Sequence, residues 1–273
     1  MEMIKDSGIY LRRMRRTFAD KMWFMSVLPD GVEHIVDFGC ADNSFLREMD
    51  RMYPGYHCVG IDNNPEFLEM AKKNGDEVYG SLEACLPSVD PSKSVLVMNS
   101  VLHEIYSYAD PAEFWRQASG MGFKYVAVRD MYAKGCGCFT SRTASELAEA
   151  CRKDSGICKK YADYCGAWNL REIDNGYDAV HFLLKYFYDE NWDRELRENY
   201  LPYDYREFHR MTRKMGYDVE FEQFYGLPYL KGKWKADFPG RPVLHSFFDQ
   251  VTTHFKAFMS LGPEMAIKSE AGE

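Results

Sequence analysis

The chain has 273 residues, 46% of them hydrophobic and 28% charged, enough to bury a sizeable core in one large or elaborated domain. That composition excludes a disordered tail, a collagen-like repeat and a small disulfide scaffold. Lys and Arg number 34 against 42 Asp and Glu, a net charge of −8, so only a local basic patch could attract a phosphate backbone.

In chain order, residues 10–28 are predicted to form a helix from the spacing of Leu11, Met14, Phe18, Met22 and Met25, stopped at Pro29-Asp30-Gly31. Charges from Asp6 to Lys21 break any apolar run there, so no targeting signal is expected. No stretch reaches the roughly 18 apolar residues of a membrane span. A cytoplasmic location with eight reduced cysteines is the expectation. Residues 33–40 predict a buried strand, and Asn43 caps a helix over 44–52. A second strand over 56–62 leads to a helix over 65–73, with Pro65 in its first turn. A short strand at 76–79, a strand over 94–102, a helix over 111–121 and a strand over 125–131 follow. Strands alternating with helices imply parallel βαβ units, a Rossmann-like doubly wound α/β sheet with ligands beyond the carboxyl ends of its strands.

After residue 131 the pattern changes. Residues 141–200 read as mostly helical, and residues 203–215 as another helix. Two alternating strands, 218–225 and 254–261, are joined by a predicted long loop carrying Pro228, Gly232, Pro239, Gly240 and Pro242. The last residues, from about 268, are predicted to be disordered.

Two segments carry chemistry. In Val36-Asp37-Phe38-Gly39-Cys40-Ala41-Asp42-Asn43 a strand ends, a glycine turn follows and a helix begins. Gly39 lets the backbone approach a ligand, and the helix start is expected to present free N–H groups. Asp37 and Asp42 suit a neutral or cationic ligand better than a pyrophosphate. In Val59-Gly60-Ile61-Asp62-Asn63 the acid lies about 20 residues after the glycine turn, where it can accept both hydroxyls of a ribose or cap the next helix. With Asn63 and Asn64 also available as caps, the ribose role is preferred. The run Gly-Cys-Ala-Asp-Asn-Ser departs from the G-x-G-x-x-G of dinucleotide enzymes.

Asp37-Phe-Gly39-Cys-Ala41 followed by Gly60-Ile-Asp62 resembles the class I S-adenosylmethionine-dependent methyltransferases. Asn99-Ser100-Val101-Leu102-His103-Glu104 is similar to that family's fourth-strand motif, residues 126–130 to its fifth strand, and residues 252–256 to the start of its antiparallel seventh strand. The resemblance covers residues 33–131 and about 203–261. It implies S-adenosylmethionine as cofactor and S-adenosylhomocysteine as product. Asp37, Gly39, Cys40, Ala41, Asp62, Asn63, Ser81, Leu82, Asn99 and Ser100 are the implied cofactor contacts. The usual second and third loop glycines are Ala41 and Asn43 here, and Ser81 stands where an acid is often found. The implied organisation is an N-terminal helical lid (1–32), a cofactor-binding core (33–131 and 203–262), a helical substrate cap (132–202) and a tail (263–273).

Methyl displacement from a sulfonium needs alignment, plus a base for a hydroxyl or ammonium acceptor. His103, Glu104 and Asp130 are the candidate bases. The expected acceptor is a small molecule, aromatic or cationic. Tyr161, Tyr164, Trp168, Tyr177, His181, Tyr186, Tyr188, Trp192 and Tyr200 could wall its site, although most should be packing. No [DN]-P-P-[FYW] or Pro-Cys pair points to base methylation of nucleic acid. An RNA-modifying enzyme using Arg12, Arg13, Arg15 and Arg16 is the alternative, and a non-catalytic binding protein of the same fold a third reading. Cys136-Gly-Cys138 is too tight for a zinc knuckle, so no metal is expected.

Overall fold

The computed structural model describes residues 17–262. The described residues open with a short helix α1 (Phe18–Lys21) and a 3-10 turn (Met22–Ser26). It then alternates β1 (His34–Phe38), α2 (Ser44–Met52), β2 (His57–Ile61), α3 (Pro65–Lys73), β3 (Val78–Tyr79) and α4 (Leu82–Cys85). Next come β4 (Ser94–Asn99), α5 (Leu102–Tyr108), α6 (Pro111–Gly120) and β5 (Tyr125–Met131). Four helices follow, α7 (Ser141–Cys151), α8 (Ser155–Ala167), α9 (Gly176–Leu183) and α10 (Trp192–Arg197). The chain closes with α11 (Tyr205–Lys214), β6 (Tyr217–Tyr225), α12 (Pro228–Asp237), α13 (Pro242–Gln250) and β7 (His254–Leu261).

The seven strands form one sheet in the order β3-β2-β1-β4-β5-β7-β6. β1 pairs in parallel with β2 and β4, β2 with β3, and β4 with β5. β7 runs the other way: Leu261 donates its N–H to Lys124 O, and Tyr132 donates to Thr253 O. Strand order reverses between β1 and β4, which is where such a sheet opens a crevice at its carboxyl edge. The Rossmann-like expectation, including the antiparallel last strand, holds.

The described chain forms two compact units. One comprises residues 17–130, Tyr203–Gln223 and 256–262; the other comprises Met131–Pro202 and Phe224–Phe255. In the sheet unit, Met22 and Phe24 share a core with Ile35, Phe45, Val95, Val97, Ala127 and Phe258. β4 is buried along its whole length, as its unbroken apolar run requires for a central parallel strand. Of the helix predicted over 10–28, residues 10–16 lie outside the described residues, as do Arg12, Arg13, Arg15 and Arg16 and the tail 263–273. The rest is α1 and a tighter turn.

Three local expectations need correction. The fourth strand stops at Asn99, because Ser100 takes a left-handed conformation (φ 61°) and α5 begins at Leu102. Asn43 occupies the N-cap position of α2 at φ 61° but makes no side-chain cap; Asp42 Oδ1 accepts the Ser44 N–H instead. The long loop between the last two strands is α12 and α13. Pro228 and Pro242 start them, where a missing N–H costs nothing, and Gly240 (φ 69°) turns the chain between them. Trp234, Leu244, Phe247 and Phe248 supply the buried faces.

The helical unit has its own core, centred on Leu147, Tyr164, Phe182, Leu183 and Trp234. Its aromatic richness is mostly packing, with the polar tips satisfied internally. Trp168 Nε1 donates to Leu196 O, Tyr186 to Asp237, and Trp192 Nε1 to Asp163. Lys185 is fully buried, donates to Glu198 O, and lies 5.1 Å from the ring centres of both Trp168 and Tyr200. Burial drives its ammonium down to about 7, against the opposing pull of Glu198 and Glu195. All eight cysteines are free thiols.

Candidate active site

The site lies in the sheet unit, at the carboxyl ends of β1, β2, β4 and β5. After β1 the chain turns through Gly39 at φ 84°. A Cβ there would stand 3.0 Å from a Val101 methyl, so glycine is needed for both conformation and space. Ala41 and Asn43 keep left-handed conformations (φ 49° and 61°) without being glycine.

Several N–H groups of the loop, and that of Ser44 at the helix start, are already used. Gly39 and Cys40 both donate to Ile61 O, Ala41 to Asp62 Oδ2, Asn43 to Cys40 O, and Ser44 to Asp42 Oδ1. The loop is therefore tied to the end of β2 and does not form an anion cradle of amides, in keeping with a ligand other than a pyrophosphate. Arg47, a residue the sequence reading missed, donates to Asp42 O at 2.9 Å and pairs with Asp76.

Asp62 follows β2. Its Oδ2 accepts from Ala41 and its Oδ1 from Asn64, both at 2.8 Å. With about four lone-pair sites on a carboxylate, Asp62 keeps capacity to accept from a ligand hydroxyl. Burial raises the Asp62 pKa, and the hydrogen bonds from Asn64, Ala41 and Asn63 oppose that rise. The cap on α3 comes from Asn64, whose Oδ1 accepts the Glu66 N–H. Asn63 is exposed beside it. Ser81 caps α4 by accepting from Ala84, and Leu82 is buried behind it.

Three buried polar side chains at this edge have open hydrogen-bonding capacity. Both ends of the Asn99 amide, Oδ1 of Asp37 and Oδ1 of Asn43 are buried with no protein partner. Such groups cost about 1–3 kcal/mol each while unsatisfied, and they are what a polar ligand would engage. Burial drives the Asp37 carboxyl well up; the Lys21 charge opposes that shift and Asp62 adds to it.

β4 and β5 bring the catalytic candidates together. Asp130 is fully buried, and its Oδ2 accepts the His103 backbone N–H at 2.9 Å. Its Oδ1 lies 2.9 Å from His103 Nδ1. A carboxylate only accepts, so the His103 proton is assigned to Nδ1 and the basic nitrogen is Nε2. His103 sits in the first turn of α5, beside half-buried Glu104. Ser100 is held by Arg129, whose Nη1 donates to Ser100 Oγ at 2.9 Å and whose carbonyl accepts the Ser100 N–H at 2.7 Å.

Arg129 is only 2% exposed. Its Nε donates to Asp20 Oδ2 at 2.6 Å, and Lys256 donates to Asp20 Oδ1 at 2.7 Å. The sequence reading did not place this group. The available signal was one Arg and one Lys inside mostly apolar strands, since a buried charge must be paired. Cys40 is buried in the glycine loop. Burial pushes its thiol far up, and the nearby charges of Asp37 and Asp62 push it further.

Residues 36–122 match the model of a family described as a methyltransferase domain. No curated protein sequence matches the chain. Among solved structures, it is similar to the plantazolicin methyltransferase BamL in complex with a triazolic desmethylPZN analog and SAH. That likeness has a TM-score of 0.51 and 11% identity, over 93% of this chain and 90% of that one. It is also similar to a candidate sarcosine dimethylglycine methyltransferase from Galdieria sulphuraria, with a TM-score of 0.51 and 10% identity over 92% and 86% of the two chains. A third similar structure is the methyltransferase complexed with the Haloferax volcanii Trm112 methyltransferase activator, with a TM-score of 0.50 and 13% identity over 92% and 94%. At these identities the structural likeness speaks to fold.

Proposed function

Because the chain carries a class I S-adenosylmethionine-dependent methyltransferase domain, we propose that it transfers a methyl group to a small-molecule acceptor, with His103 as general base. S-adenosylmethionine, when bound, supplies the electrophilic methyl group of a sulfonium. The observation that carries the reading is the buried His103–Asp130 pair, set at the same sheet edge as Gly39 and Asp62.

In this reading Asp62 accepts from the ribose hydroxyls, with its carboxylate aimed by the Ala41 and Asn64 amides. Gly39 offers bare backbone, while Asp37 and Asn99 supply buried polar atoms without protein partners. Cys40, Ala41, Asn63, Ser81, Leu82 and Ser100 shape the surroundings. Asp130 fixes the His103 ring and stabilises its charged form after a proton arrives at Nε2. Asp130 is thereby an orienting group, and Glu104 is the alternative base on the same helical turn. A small acceptor agrees with the Galdieria neighbour, named for the amines sarcosine and dimethylglycine. The methyltransferase match ends at residue 122, so the helical unit lies outside it. We assign that unit the part that varies with the acceptor.

Two experiments test this. Calorimetric titration should show binding of both S-adenosylmethionine and S-adenosylhomocysteine, and a folded sample that binds neither sinks the reading. With an acceptor found by screening amines and phenols against methyl-labelled cofactor, His103→Ala should lower kcat by about 10²–10⁴-fold while leaving cofactor Kd nearly unchanged. Asp130→Asn should lower kcat and displace the pH profile. Full turnover by His103→Ala would remove that residue from the chemistry.

A further inference from the structure

At the amino end of the sheet, away from the loops described above, β1 and β2 begin with His34 and His57, in register on neighbouring parallel strands. Their Nδ1 atoms are 3.1 Å apart, and the rings meet edge to face with centroids at 5.3 Å. The other nitrogen of His57, Nε2, lies 2.8 Å from Glu77 Oε2. The second Glu77 oxygen accepts from Tyr79 at 2.7 Å, which holds the carboxylate in place. Since a carboxylate only accepts, the His57 proton belongs on Nε2, and its Nδ1 accepts a hydrogen bond from the His34 Nδ1–H, the proton that a bound ion would displace.

We propose that His34 and His57 form a surface site for a borderline divalent transition-metal ion, Ni²⁺ or Zn²⁺, held by the two Nδ1 atoms, with Glu77 orienting His57. Two imidazole nitrogens each about 2.0–2.1 Å from one ion, at an angle of about 90–110°, lie about 2.9–3.4 Å apart, and the observed spacing falls inside that range. A metal-bound histidine usually donates its other ring N–H to a carboxylate, the arrangement that His57 and Glu77 already make. Both rings are half-buried at strand starts, so the backbone fixes their spacing while an ion and its remaining waters can reach them.

The site is independent of the cofactor edge. β1 is five residues long, which separates the two ends by roughly 13 Å at about 3.3 Å per step. Metal binding should therefore leave cofactor affinity unchanged.

The test is calorimetric titration of the full chain with NiCl₂, with its thiols kept reduced. One equivalent should bind in the micromolar range. His34→Asn and His57→Asn should each weaken binding about tenfold or more, and Glu77→Gln by about 10–100-fold. Thermal melts of the variants check that they fold. In the unaltered protein, Ni²⁺ should also protect both histidines from diethyl pyrocarbonate, a readout that needs no substitution. Absence of Ni²⁺ binding up to millimolar concentration would overturn the proposal. So would equal binding by both histidine variants, which would place the ion elsewhere on the chain, or modification of both rings at an unchanged rate.

Discussion

Ala41, Asn43 and Ser100 hold φ angles of 49°, 61° and 61°, and all three stand in loops at the carboxyl edge of the sheet. A side chain held in the left-handed region costs on the order of 1 kcal/mol or more, least for Asn. Ala41→Gly should therefore stabilise the protein by about 1 kcal/mol, read as a higher midpoint in urea with an unchanged slope. A lower midpoint would mean that the Ala41 methyl, which is buried, contributes more by packing than its backbone costs. At this scale the sequence was informative where chemistry is local. Gly39, Asp62 and Asp130 could be singled out because each ends a strand or opens the turn after one, and His103 because it follows the fourth strand within a few residues. The Arg129–Asp20 pair could not, because its partners are 109 residues apart and no local pattern joins them.

Gly60 shows how one element constrains another. A Cβ at this position of β2 would lie 2.4 Å from Asn43 Oδ1 and 2.7 Å from Cys40 Sγ, so the glycine loop rests directly on the strand. Gly60→Ala should cost about 1–3 kcal/mol by overpacking and should also weaken cofactor binding, because the loop must move. Calorimetry beside chemical denaturation separates the two effects; a destabilised variant with unaltered affinity would show that the loop position does not matter to the ligand. Strands β1, β2 and β5 were legible from their buried runs, and β7 from its alternation. The failures were at starts. Pro228 and Pro242 were read as breakers when they begin helices, and α5 was absorbed into the preceding strand because Leu102 continues its apolar run.

For the molecule as a whole, the two units differ in how their sequences disclose them. The βα alternation of the sheet unit specifies a topology, whereas the helical unit shows only that it is helical and aromatic, since a buried helix and a ligand-facing one use the same residues. Its stability carries a pH signature. The Lys185 pKa falls from 10.5 to about 7 on folding, so its neutral form is favoured in the native state. The associated stability is complete above 10.5 and is lost as pH falls toward 7, with no further change below. Lys185→Met should therefore gain in melting temperature relative to the unaltered protein between pH 10 and pH 6.5; a constant difference across that window would contradict the shift. The burial of the thiols has a different consequence. Cys40 sits in the glycine loop and Cys151 in the helical core, both with thiols pushed far up by burial. Neither can be alkylated until its surroundings open, so each is a clock for the breathing of its own unit. S-adenosylmethionine should slow the Cys40 clock, and the rate at Cys151 would then tell whether a ligand bound at the sheet is felt in the helices.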